Sequence, residues 1–128
     1  MLACHLRCRA DVTVALKELT DFDRYGAVAL DGERIVAFEE KRPCTRGLVN
    51  GGIYILEKSL FDRFDLPEKF SFETDFLGSC LQRLTVAGFR SDGYFIDIGI
   101  PEDYERAGRE AARLTASSGK ALRTVAAP

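Results

Sequence analysis

The sequence predicts an α/β or α+β layer built on a mixed sheet, and three observations predict it. Short runs rich in Val, Ile and Phe recur along the chain with strand-like patterning. Two of these runs are separated by Asp31-Gly32, a favoured hairpin dipeptide. Segments with helical spacing fall between and after the strands, so that neither structure type fills the chain.

Taken in order, residues 1–9 read as the end of a helix, with Leu2, Leu6 and Cys8 as its apolar positions. DVTVALKEL from Asp11 alternates Val12, Val14 and Leu16 with polar or small partners, the pattern of a half-buried strand. RYGAVALDGERIVAFEEK holds two β-rich runs, 26–30 and 34–38, joined as a hairpin. Pro43 and Gly47 mark 41–48 as a loop, and GGIYIL from Gly51 returns as a buried strand. Residues 58–64 suggest a short helix. Ser71 is a good cap for a second one carrying Phe72, Phe76, Leu77, Cys80, Leu81 and Leu84. VAGFR and GYFIDI read as strands. Pro101 suits the first position of a closing helix, with Tyr104, Ala107, Ala111 and Leu114 along one stripe. From Thr115 the Ala, Ser, Gly and Lys content reads as a flexible tail over 115–128.

A chain of 128 residues with 46% hydrophobic content can bury one sizeable core but not two. Its 18 basic and 20 acidic residues are interspersed, giving a net charge of −2 and no basic face for nucleic acid. No apolar stretch is long enough for a membrane span, and MLACHLRC is too short and broken for a signal-peptide core, so a cytoplasmic location is expected. Cys4, Cys8, Cys44 and Cys80 show no disulfide framework. Cys4, His5 and Cys8 could open a metal site, but such a site needs further ligands and there is no second histidine, which favours free thiols.

Several polar residues sit at strand ends or helix starts, where α/β proteins place ligands: Glu40 and Lys41, Asn50 before Gly51-Gly52, Glu73 and Asp75, and Asp97 before Gly99. Lys41 could neutralise a phosphate, and Asp97 could hold Mg²⁺ together with phosphate oxygens. Each also has a structural reading, as a solvated strand exit, a turn, a charge at a helix N-terminus or a cap before Pro101.

Together these stretches resemble a known family. FEEKRP from Phe38 is similar to the Phe-x-Glu-Lys-Pro motif of sugar-1-phosphate nucleotidyltransferases, with Arg42 before the proline. NGGIYIL resembles that family's Asn-Gly-Gly strand, FSFETDFL its Ser-x-Glu-x-Asp segment, and GYFIDIGIPEDYERA its strand bearing a metal-binding aspartate. RYGAVALDGERIVAF resembles the hairpin before the lysine motif, and the likeness runs from Arg9 to about Leu114. FSFETDFL is most similar to guanylyltransferases acting on heptose 1-phosphate, followed by those acting on mannose 1-phosphate.

The resemblance implies a nucleotide-diphosphosugar transferase, Rossmann-like fold. The reaction it implies joins a sugar 1-phosphate to a nucleoside triphosphate, GTP by the nearest likeness, with Mg²⁺ and release of pyrophosphate. It implies that Lys41 holds the sugar phosphate, that Asn50 and Glu73 bond sugar hydroxyls, and that Asp97 ligates Mg²⁺. It further implies that Gly26 and Gly52 allow close approach to the sugar, with Glu40 beside them. The family's Gly-Gly-x-Gly-Thr-Arg triphosphate loop is not among these residues. The expectation is therefore a partial fold without the N-terminal nucleotide-binding half, with residues 1–114 forming the sugar-phosphate half. Such a chain should be inactive alone; the alternative is a non-catalytic sugar-phosphate-binding or interaction module. A half-fold with open apolar sheet should also self-associate as a homo-oligomer.

Overall fold

The structure is a computed structural model that describes residues 1–121, with side chains from 1 to 111. These residues form two units, Met1–Gly93 and the segment from Tyr94 onward, each described by itself.

In the first unit, α1 (Leu2–Cys8) leads into β1 (Val12–Phe22). The hairpin of β2 (Gly26–Asp31) and β3 (Arg34–Lys41) follows, then the long β4 (Cys44–Leu56) and finally β5 (Val86–Arg90). β1 pairs antiparallel with β4 and parallel with β5, while β3 pairs antiparallel with both β2 and β5. The order β1-β4-β2-β3-β5 therefore closes on itself as a small mixed barrel. The expected mixed sheet is present. The helices expected to flank it are here α1 and three short helical turns, Phe61–Arg63, Phe72–Gly78 and Leu81–Arg83.

Burial explains the local choices. Val12, Val14 and Leu16 point into the main core with Val28, Ile35 and Val86. Thr13 and Ala15 between them are buried as well, so the first half of β1 is covered on both faces and only its second half alternates. Leu60, Phe76, Leu77, Leu81 and Leu84 from the helical turns complete that core. Ser71 caps the turn at 72–78 as expected, its hydroxyl accepting the Thr74 N–H at 3.3 Å. Around it Phe64 packs edge-on against Phe76 with ring centroids 5.0 Å apart, and Phe61 and Phe72 add further ring contacts.

Four expectations change. In α1, Leu2 and Leu6 are exposed, whereas Cys4 and His5 are buried. Cys4 packs with Ala10 on Ala87 of β5, where small side chains let the helix approach the sheet. His5 Nδ1 lies 2.9 Å from the Thr13 hydroxyl, so this imidazole is a satisfied core group. Second, residues 44–48 are strand, pairing with β1 from Glu18↔Leu48 to Phe22↔Cys44. Gly47 is there for packing, since a Cβ would stand 3.2 Å from the Phe22 ring. Third, the helix expected at 58–64 is only the single turn Phe61–Arg63. Fourth, GYFIDI is irregular. Apolar composition alone does not make a strand, and the five paired strands do not include residues 93–98.

The second unit contains α2 (Pro101–Ala121), with Pro101 at its first position. Glu102 and Asp103 occupy the first turn, favourable for the helix dipole, and Tyr94 donates to the Glu110 carboxylate. The flexible tail expected over 115–128 begins on α2 backbone, and 122–128 lie outside the described residues.

Candidate functional site

β4 contains a bulge that explains why Asn50 is followed by two glycines. Val14 pairs with Tyr54 and Leu16 with Asn50, so the single Ala15 of β1 faces three residues of β4, Gly51, Gly52 and Ile53. Gly52 has φ of +69°, backbone that a side chain would strain. The Asn50 Oδ1 accepts the Gly52 N–H at 2.9 Å and pins the bulge from inside.

In a regular strand, residues four apart stand about 13 Å from one another. The bulge folds that distance away, and Asn50 Nδ2 donates to the Tyr54 hydroxyl at 2.7 Å. Glu73, in the first turn after the Ser71 cap, completes the cluster. Its Oε1 accepts from Asn50 Nδ2 at 3.1 Å and from the Tyr54 hydroxyl. Burial and then the bond to Glu73 push the Tyr54 phenol well above its ordinary pKa, so it stays protonated and donating. The arrangement presents an exposed carboxylate, a half-buried amide and a phenol together, a donor and acceptor set able to bond the hydroxyls of a polar ligand.

The same sheet brings Lys41 and Gly26 to this region. Gly26 pairs with Lys41, and Ala27 pairs with Val49, the neighbour of Asn50. Lys41, Gly26 and Asn50 therefore follow one line across β3, β2 and β4. A Cβ on Gly26 would lie 2.1 Å from the Glu39 carbonyl oxygen, so this glycine is required by the close β2–β3 backbone. Around Gly52, by contrast, a Cβ would meet nothing within 4 Å. Lys41 is exposed at the end of β3, and among the described residues no carboxylate forms an ion pair with it. Glu40 is exposed beside it.

Asp97 belongs to the second unit, and the structure places it in irregular backbone, not within a strand. It is half-buried, and its Oδ1 accepts the Gly99 N–H at 2.9 Å, the local turn the Asp-x-Gly spacing favours. As a single hard carboxylate it suits Mg²⁺, which takes one or two protein carboxylates and fills its other positions with water and phosphate oxygens.

The profile of the nucleotidyl transferase family matches residues 1–113. The chain is 47% identical over 110 residues to a D-glycero-alpha-D-manno-heptose 1-phosphate guanylyltransferase of Aneurinibacillus thermoaerophilus, covering 86% of this chain and 48% of that protein. It is 51% identical over 94 residues to the enzyme of the same name from Campylobacter jejuni, covering 73% and 42%. The chain thus spans about half the length of these relatives. The crystal structure of HddC from Yersinia pseudotuberculosis complexed with GMP-PN superposes with a TM-score of 0.65 at 36% identity, over 79% of this chain and 44% of that one. With the profile running through the bulged Asn-Gly-Gly strand, the Lys41 hairpin and the Asp97 segment, the chain belongs to the nucleotidyl transferase family.

Proposed function

We propose that this chain is the sugar-phosphate-binding half of a nucleotidyltransferase that joins a heptose or mannose 1-phosphate to GTP. The observation that carries this reading is the Asn50–Tyr54–Glu73 cluster, held by a bulge on the strand that adjoins Gly26 and Lys41. The amide and carboxylate bond sugar hydroxyls, and the Lys41 ammonium offsets the charge of the 1-phosphate. The guanine and heptose assignments follow the names of the relatives.

The reaction asks little acid–base chemistry of the protein. A phosphate oxygen of the sugar 1-phosphate attacks the α-phosphorus of the triphosphate, the bond to the β-phosphate breaks, and pyrophosphate leaves with that electron pair. The nucleophile is already anionic near neutral pH, so alignment and charge neutralisation dominate. Mg²⁺, when bound at Asp97, supplies positive charge against the crowded phosphates. The buried His5, bonded to Thr13, takes no part.

Calorimetric titration of the purified chain tests the reading. Mannose 1-phosphate or heptose 1-phosphate should bind, GTP should bind poorly or not at all, and Lys41→Ala should weaken the sugar-phosphate affinity about tenfold. A chain that binds neither sugar phosphate, or binds each equally well after the substitution, overturns it. Sugar-phosphate binding without turnover in the presence of the rest of the enzyme's chemistry would favour a non-catalytic binding module. We also propose a homo-oligomer, supported by exposed Ile53 and Phe61 beside the site; sedimentation as a monomer would contradict it.

A further inference from the structure

Away from that cluster, α1 and the β2–β3 turn bring together two thiols and a carboxylate. Cys4 and Cys8 stand one helical turn apart and so project from neighbouring positions on α1. Glu33, in the tight turn opened by Gly32, reaches them from the sheet. The three donor atoms all lie within 4.8 Å of one another. Cys4 Sγ is 3.8 Å from Glu33 Oε1, and Cys8 Sγ is 3.6 Å from Oε2. Sequence alone offers Cys4, His5 and Cys8 as candidates, and Glu33 is brought in only by the hairpin.

We propose that Cys4, Cys8 and Glu33 form a binding site for a thiophilic dication of the zinc class. Zinc bonds of about 2.3 Å to sulfur and about 2.0–2.2 Å to oxygen put tetrahedral donors about 3.5–3.8 Å apart. The two sulfur–oxygen separations already fall near that range, one to each carboxylate oxygen, and all three donors sit within 4.8 Å of one another. Charge also balances. Two thiolates and a carboxylate carry three negative charges, and the dication together with Arg7 offsets them. Arg7 grips both oxygens of Glu33, its Nη2 at 2.5 Å and its Nε at 3.3 Å. That fork occupies one lone pair on each oxygen and fixes the carboxylate's plane, as supporting groups around metal ligands do. A cavity of about 310 Å³ lined by Cys4, Arg7, Gly32 and Glu33 adjoins two of the three donors, with room for water. His5 is not a ligand, since its ring is buried against Thr13.

The test is a titration of the reduced, chelator-treated 128-residue chain with Co²⁺ and then Cd²⁺, following thiolate-to-metal charge-transfer absorption. One equivalent should bind. Cys8→Ser, at a half-exposed position, should abolish the charge-transfer band. Glu33→Gln should keep the band and weaken affinity by at least about tenfold. Cys44→Ser and Cys80→Ser should leave both unchanged. The far-UV circular dichroism of each variant establishes that it is folded. A band that survives Cys8→Ser in folded protein, or no band with the native chain, overturns the site. Unchanged affinity in Glu33→Gln overturns the three-ligand assignment.

Discussion

Tyr54 joins two residues that the sequence separates by 23 positions, accepting from Asn50 and donating to Glu73. Tyr54→Phe removes that bridge and leaves the Glu73 carboxylate with one donor fewer. A hydrogen bond to a charged group contributes about 1.5–3 kcal/mol, so sugar-phosphate affinity should fall about tenfold or more, measured by titration against the native chain. A second readout reports on the phenol itself, through its burial and its bond to Glu73 together. The Tyr54 pKa is raised in the folded state, so its stabilising contribution is complete below the unfolded phenol's pKa of about 10 and is lost as pH rises beyond it. Urea midpoints should therefore fall above that pH more steeply for the native chain than for Tyr54→Phe; parallel curves would show that the phenol does not donate to Glu73. Asn50 and Glu73 were legible as candidates because an amide before two glycines and an acid after a helix cap are local signals. Tyr54 was not, because its proximity to Asn50 exists only once the bulge has formed.

At the scale of elements, the β4 bulge and the phenylalanine cluster hold the candidate site in place. Gly52→Ala forces a side chain onto backbone at φ +69° and should destabilise the chain by about 1 kcal/mol or more in urea unfolding. Gly78→Ala serves as its control. A Cβ there meets only the Glu73 carbonyl at an ordinary 3.6 Å, and that variant should be neutral or slightly stabilising. Equal losses from both would mean that the bulge is not what makes glycine necessary at 52. Phe76, fully buried among the rings that support the Glu73 turn, should cost about 3–5 kcal/mol as Phe76→Ala; a loss below 1 kcal/mol would contradict its place at the centre of that cluster. The hairpin, β1 and β5 could be read from alternation and from Asp31-Gly32. The strand at 44–48 could not, because Pro43 and Gly47 mimic loop signals while serving a strand start and the Phe22 ring. The apolar run at 94–98 misled in the other direction, since apolar composition alone does not make a strand.

For the whole molecule, family membership and partial coverage together set what the chain can be expected to do. Motif order made the family legible from the sequence. The barrel closure did not show there, because pairing β5 to both β1 and β3 is a long-range choice invisible to local pattern. No helix among the described residues is long and apolar enough to cross a membrane. Incubated alone with GTP, Mg²⁺ and a sugar 1-phosphate, the chain should form no nucleotide-sugar, and chromatographic detection of one would contradict its proposed role as a sugar-phosphate half. The most direct measurement is backbone amide NMR of the labelled chain during titration with mannose 1-phosphate or heptose 1-phosphate. Saturable shifts centred on Lys41, Asn50, Gly52 and Glu73 are predicted. Shifts centred instead on the separate cavity lined by Phe22, Pro43 and Cys44, or no saturable shift at all, would contradict the account.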